Sequence, residues 1–442
     1  MSFFSVSRLV STSARGAFLL FFISTVARAL SALATLVLAY GFAADANMDR
    51  YMVLAMLTAA FSALTASALP GIVSAHLSTQ SNGPSERAVQ NSFARTLIDC
   101  RRWSKALAVF GASTYLLSLP LLSWILDSQR TAQGRIDLGL LLLPGAVVVA
   151  LAPLLAVEHT LLQSRGLARK AAVVSSSSTS IALASAALAT ATHFIAWSAL
   201  GLALGTLVEW CLVRRLNREP AASAAHLETS RKQLGLPWRP FLVLTAATAA
   251  VFCSSLVDQA VLAHQARGMQ ALWGLAARAP SFITLSLFAV VGMLSTDLVS
   301  RSAGASCPQL PGQASRLARR AVIASCTAMG ALALAAHPLT RLLYERGAFT
   351  AVNTQQVAQA TRAAVWAFIA YPPLAVILRT ATAQRKFRWL GASAAAFFLL
   401  KVSLASWACQ QFGVLGIAGT TGFAMSVQLG VLWWQVARLP SA

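Results

Sequence analysis

Twelve stretches of about 20 predominantly apolar residues, separated by short basic loops, leave this chain few ways to fold. They lie near residues 17–42, 51–77, 105–126, 137–163, 170–192, 194–213, 240–264, 270–299, 319–343, 357–382, 389–410 and 413–437. A run of that length spans a hydrocarbon core about 30 Å thick as a helix, because in lipid every backbone amide must bond within its own segment. The spacing therefore predicts an all-α polytopic membrane protein. Composition agrees, with 57% hydrophobic residues, 11% charged residues and a mean hydropathy of +0.66. Two spans are interrupted. Ser175 to Ser178 dilute the fifth, and Arg362, Pro372, Pro373 and Arg379 break the tenth. No small-residue cleavage site follows the first run, so it is expected to stay as the first helix.

The formal net charge of +22 would point to nucleic acid in a soluble protein. Here the loops explain it. Lys and Arg flanking the spans number 24 on the side of the termini, against five on the other, namely Arg50, Arg130, Arg135, Arg267 and Arg346. This asymmetry predicts that both termini are cytoplasmic, with basic loops against anionic lipid headgroups, and it removes nucleic acid as a partner. The longest cytoplasmic linker, 214–239, separates an N-terminal lobe of six spans (1–213) from a C-terminal lobe of six (240–442). Val37-Leu38-Ala39-Tyr40 closes the first span of one half, and Val261-Leu262-Ala263-His264 closes the first span of the other. The echo predicts two lobes related by pseudo-two-fold symmetry, as in transporters that rock about a central site.

Charges inside the spans carry the functional signal. Arg28 and Arg278 sit well inside apolar runs, where a guanidinium costs roughly 2.5–3.5 kcal/mol on insertion scales. Arginine stays protonated and presents a flat fork of donors suited to phosphate, so the pair is a candidate intramembrane anion site. The structural reading pairs each with backbone carbonyls or a carboxylate. Asp258 needs a cation, a proton or an arginine at its depth, which makes it a candidate for coupling or gating. Lys401 is read as neutralising a buried acid or snorkelling. Glu158 and His159 point about 100° apart on one helix, so a salt bridge with Arg165 or Arg169 is expected rather than a joint ligand site. Glu209 is expected to pair with Arg214 or Arg215.

Other chemistry is missing from the sequence. The six cysteines have neither metal-site nor disulfide spacing and read as packing residues. No Ser/His/Asp or His/Glu constellation and no nucleotide-binding loop is present, and the short outer loops leave no room for a catalytic domain. The expectation is a non-enzyme without metal or cofactor.

Several segments resemble one family. Pro338-Leu339-Thr340-Arg341-Leu342-Leu343-Tyr344-Glu345-Arg346-Gly347-Ala348-Phe349-Thr350 is similar to the "RLLFERGAFT" segment of the MurJ/MviN lipid II flippases, within the multidrug/oligosaccharidyl-lipid/polysaccharide exporter superfamily. Its motif positions here are Arg341, Glu345, Arg346, Gly347 and Phe349. Ser24 to Leu30 resembles the family's first-helix segment, Asp45 to Tyr51 its following turn (with Asp49 on the family aspartate), and Val257-Asp258-Gln259 with Trp273 to Pro280 its seventh- and eighth-helix region. The resemblance implies a V-shaped pair of six-helix lobes moving an undecaprenyl-diphosphate-linked glycan from the cytoplasmic to the periplasmic leaflet by alternating access. Arg28 and Arg278 would hold the diphosphate, and Asp258 and Asp49 would couple or gate. Energy would come from membrane potential or a coupling ion, Na+ or H+. The setting would be a bacterial inner membrane, with cell-envelope biosynthesis enzymes as candidate partners. Four positions charged in the family are Ala34, Thr35, Ser62 and Ala277 here, and the chain ends after the twelfth span. An exopolysaccharide or O-antigen repeat unit thus fits as well as lipid II. A small-molecule or ion antiporter of the multidrug type, which would want acids in its cavity, and a non-transporting membrane scaffold are the alternatives.

Overall fold

The computed structural model describes residues 3–42, 45–66, 69, 86–126, 132–164, 167–217, 238–266, 268–284, 286–287, 291, 294–295, 310–345, 349–384 and 386–437. Thirteen helices are built within them. The first six are α1 (Phe3–Phe42), α2 (Ala46–Ala66), α3 (Glu86–Leu126), α4 (Ala132–Ser164), α5 (Ala168–Thr192) and α6 (Ala196–Leu216). Seven follow: α7 (Trp238–Leu262), α8 (Met269–Ala276), α9 (Leu310–Tyr344), α10 (Ala351–Ile369), α11 (Tyr371–Ala383), α12 (Phe387–Phe412) and α13 (Val414–Ala437). Among the described residues eight segments are long and apolar enough to cross a membrane, the pair α10–α11 counting as one. The other four expected spans fall on α2, α3, α7 and α8.

Local sequence accounts for the two irregular spans. The serine run does not break α5, because Ser176, Ser177, Ser178 and Ser180 each donate to a carbonyl three or four residues back in their own helix. His193, in the left-handed region at φ 52°, then ends that helix. The tenth span is broken, as its prolines predict. Pro372 and Pro373 fall in the first turn of α11, where a missing N–H costs nothing, and α10 stops at Ile369. Thr350 caps α10, its side chain accepting from the Asn353 amide.

Packing repeats between the halves. In the first, α1 lies on α5, α5 on α6, α3 on α4, and α4 on both α6 and α2. In the second, α7 lies on α12, α12 on α13, α9 on α10, and α10 on both α13 and α8. Equivalent helices thus choose equivalent neighbours, as a duplicated six-helix unit requires. The sequence echo sits at matched places, with Leu38 and Leu262 both buried at the ends of α1 and α7.

The halves meet mainly where α2 packs on α7 and α8. One continuous apolar core joins them there, running from Leu38, Leu54 and Leu57 through Leu272, Trp273 and Leu275 to Ile417. Gly274 makes the approach close: a Cβ there would lie 2.6 Å from the Met52 sulfur.

Candidate functional site

At the seam between the halves, Asp45 and Asp49 organise one end of the bundle. Asp45 accepts from the Met48 amide at 2.9 Å and so caps the first turn of α2. Asp49, only 3% exposed, reaches across to the other half. One carboxylate oxygen accepts from the Gly268 amide at 2.8 Å and the other from the Ala271 amide at 2.6 Å. These are orphan donors at the N-terminus of α8, where helix dipole and free amides favour an anion. The result is a latch made of one side chain from the first half and two backbone groups of the second.

Arg278 lies nine residues beyond the start of α8, about 14 Å along the axis. Helical hydrogen bonding continues past Ala277, since the Ala277 amide donates to Trp273 and the Ser281 amide to Ala277. The half-buried guanidinium is within electrostatic reach of the Tyr51 and Tyr344 hydroxyls, and among the described residues no carboxylate pairs with it. Tyr344 in turn packs on Phe349, with ring centroids 5.6 Å apart. Arg28 is half-buried on α1, 14 residues before its end and hence about 21 Å from the latch end. The two arginines therefore lie in different halves and at different depths.

The motif that carries the family resemblance divides into two faces. Arg341, 69% exposed, makes an i,i+4 pair with Glu345 at 3.6 Å on the surface. Tyr344, within electrostatic reach of Arg278, and Phe349, packed on Tyr344, are buried. Arg346 and Gly347 lie outside the described residues, as do Arg130, Arg165 and Arg267 and residues 218–237 of the linker.

Asp258 has a different partner from the arginine considered for it. Its carboxylate is 2.7 Å from the Lys401 ammonium, both groups being buried. Lys401 thus neutralises a buried acid and does not snorkel. Two other expected pairings are corrected. Glu158 bonds Arg101 through both carboxylate oxygens, at 2.9 and 3.0 Å, and accepts from Asn217 at 2.6 Å. Arg101 on α3 and Asn217 after α6 flank α4, whereas Arg169 follows on the next helix. Glu209 meets His159 at 2.9 Å, because the buried face of α6 looks towards α4, and Arg214 stacks 4.9 Å over Trp210 instead. The neighbours Glu158 and His159 serve separate partners, as their angular separation requires. Arg362 donates to the Ala333 carbonyl and Arg379 to the Ser295 hydroxyl. Of the cysteines, Cys100 and Cys409 are buried, in keeping with packing, while Cys211 and Cys326 are exposed.

Sequence reading missed Tyr51, Tyr344 and the amides of Gly268 and Ala271. Backbone donors carry no residue signature. The tyrosines had one only in retrospect, as polar-tipped aromatics flanking a buried arginine.

Neither a family model nor a curated protein sequence matches this chain. Solved structures do match its fold. The lipid II flippase MurJ in an inward closed conformation aligns with a TM-score of 0.68 at 16% identity, over 95% of this chain and 88% of that one. An inward-facing multidrug resistance transporter of the MATE family, in the MOP superfamily, aligns with a TM-score of 0.72 at 12% identity, over 96% and 100%. A eukaryotic MATE transporter gives 0.68 at 12% identity, over 96% of each. The chain is an all-α, multi-pass membrane protein with the V-shaped fold of the MurJ and MATE transporters.

Proposed function

We propose that the chain is a flippase that carries a polyprenyl-diphosphate-linked glycan from the cytoplasmic to the periplasmic leaflet by alternating access. The observation that carries this reading is the setting of Arg278. A permanent cation inside an apolar span has two phenolic hydroxyls within electrostatic reach and, among the described residues, no carboxylate paired with it, which suits a mobile anion better than a fixed partner. Arg28 supplies a second guanidinium from the opposite half, about 7 Å deeper along the axis. A diphosphate bridging the two would be held by charge-assisted, partly bidentate bonds while the glycan sits in the wet cavity and the prenyl tail stays in lipid. With the termini cytoplasmic, the Asp49 latch lies at the periplasmic end. Its closure leaves the cytoplasmic side as the loading side, and its opening releases the headgroup outward.

The multidrug-type reading draws on an equally good fold match. It needs an acid free to hold a cationic substrate, and the acids nearest the seam are engaged: Asp49 on α8 amides and Asp258 on Lys401. Native mass spectrometry separates the two. Wild type is expected to retain lipid II or a second polyprenyl-diphosphate glycan, and the Arg28→Ala/Arg278→Ala variant to lose it. Equal retention by both, or binding of an organic cation in place of either lipid, would reject the diphosphate site.

A further inference from the structure

The Lys401 ammonium sits where α7, α12 and α13 come together, and its surroundings are those of a small cation site. Its side chain is 0% exposed. Besides Asp258 Oδ1 at 2.7 Å, it faces the Ile417 carbonyl at 3.1 Å, Thr420 Oγ1 at 3.2 Å and Thr421 Oγ1. Both threonine hydroxyls donate their own hydrogens to Ile417 O, at 2.9 Å each, which leaves their lone pairs for the ammonium. Four oxygens, one of them anionic, thus converge on a single positive centre. Hard cations take this donor chemistry, mixing carboxylate, carbonyl and neutral oxygen. The helices are held close enough to build it: a Cβ on Gly416 would fall 2.0 Å from the Ala408 carbonyl oxygen, so only glycine lets α13 approach α12 this closely. Tyr371 and Cys409 are further titratable side chains within electrostatic reach.

We propose that this is an alkali-metal cation site that the chain fills with its own lysine. The tethered ammonium supplies the charge that a dissociable Na+ or K+ would otherwise bring to Asp258, and it holds α7 against α12 and α13 at all times. A ligand shifts a conformational equilibrium through its differential affinity and its concentration, and a tethered group has no concentration to vary. Asp258 therefore does not couple an alkali-metal gradient to movement of this half, and removing the lysine exposes a site that such a cation enters. The inference concerns how the pocket is neutralised, not what is carried, so it fails or stands separately from the diphosphate reading.

Thermal unfolding of the purified protein in NaCl, KCl or choline chloride at equal ionic strength tests it. Wild type is expected to unfold at one midpoint in all three salts. Lys401→Ala should unfold at a lower midpoint in choline and recover saturably with Na+ or K+, as specific binding to the folded state requires. Lys401→Ala/Asp258→Asn, lacking the anion, should not respond. Should Lys401→Ala be recovered only when purified in NaCl or KCl, the result supports the site equally. A saturable Na+ or K+ response in wild type would overturn the proposal. So would Lys401→Ala that folds without a cation response, or that fails to fold in every salt.

Discussion

Four acids are buried in the described helices, Asp49, Glu158, Glu209 and Asp258, and each is met by donors or a cation from another helix. Their partners differ in kind, and so does what they do. Glu158 joins α3, α4 and the end of α6 within one half. Asp49 alone joins the two halves through a polar contact to backbone. Hydrogen bonds to a charged acceptor contribute about 1.5–3 kcal/mol each. Loss of both in Asp49→Ala is therefore expected to raise the ratio of open to closed latch by at least about tenfold. Asp49→Asn, whose amide keeps a single acceptor oxygen, should fall between. Spin labels on Tyr40→Cys and Val352→Cys, exposed positions of opposite halves near the latch end, report the change as a longer distance population. Unchanged distances in Asp49→Ala would return the residue to a local cap. At this scale the sequence marked Asp258 and Lys401 as charges within or beside apolar spans, and the family resemblance marked Asp49, but neither told who meets whom. Asp258 and Lys401 come from helices that are distant in sequence, and hydropathy says nothing of the face each presents.

Helix ends and helix contacts obey different parts of the sequence. The C-terminal ends of most spans were legible, but α1, α3 and α9 begin well before their apolar runs, and Pro120, Pro144, Pro153 and Pro338 lie inside helices without ending them. The break between α10 and α11 at Ala370 follows directly from Pro372 and Pro373. Contacts rest on small residues whose partners lie elsewhere in the chain. Gly205 lies against the Ser178 backbone, where a Cβ would come within 2.7 Å of the Ser178 carbonyl oxygen, and Gly416 is similarly pressed on α12. Neither can be told from Gly430, which has open space around it, by sequence alone. Overpacking costs typically 1–3 kcal/mol, whereas alanine favours an open helix position over glycine by roughly 0.5–1 kcal/mol. Gly205→Ala and Gly416→Ala are thus expected to lower the thermal midpoint, and Gly430→Ala to leave it unchanged or raise it. Equal midpoints for all three variants would mean that the α5–α6 and α12–α13 crossings are looser than described.

At the scale of the molecule, the duplicated neighbour scheme explains how two halves of different sequence form one device. Each half keeps its own set of helix neighbours, and the seam along α2, α7 and α8 is where the halves would move relative to one another if the fold works as a transporter. The fold class and the echo between α1 and α7 were legible from the repeated apolar spans. The seam was not, since Met52 against Gly274 and Asp49 against two amides are contacts between residues more than 200 positions apart. Arg28 and Arg278 were legible for the opposite reason: a charge in an apolar run is conspicuous in any sequence. Under the proposed function these scales join: a latch at one end and two guanidiniums below it serve a lipid diphosphate. The most direct test of that function is translocation in proteoliposomes, with a polyprenyl-diphosphate glycan in one leaflet and wild type compared with Arg28→Ala/Arg278→Ala at matched protein levels. Wild type is expected to move the lipid between leaflets and the variant to move it at least about tenfold more slowly, the consequence of losing about 1.4 kcal/mol or more of interaction with the headgroup. Equal rates for the two proteins, or a wild type that leaves the lipid in place while exchanging an organic cation for an ion, would contradict the account.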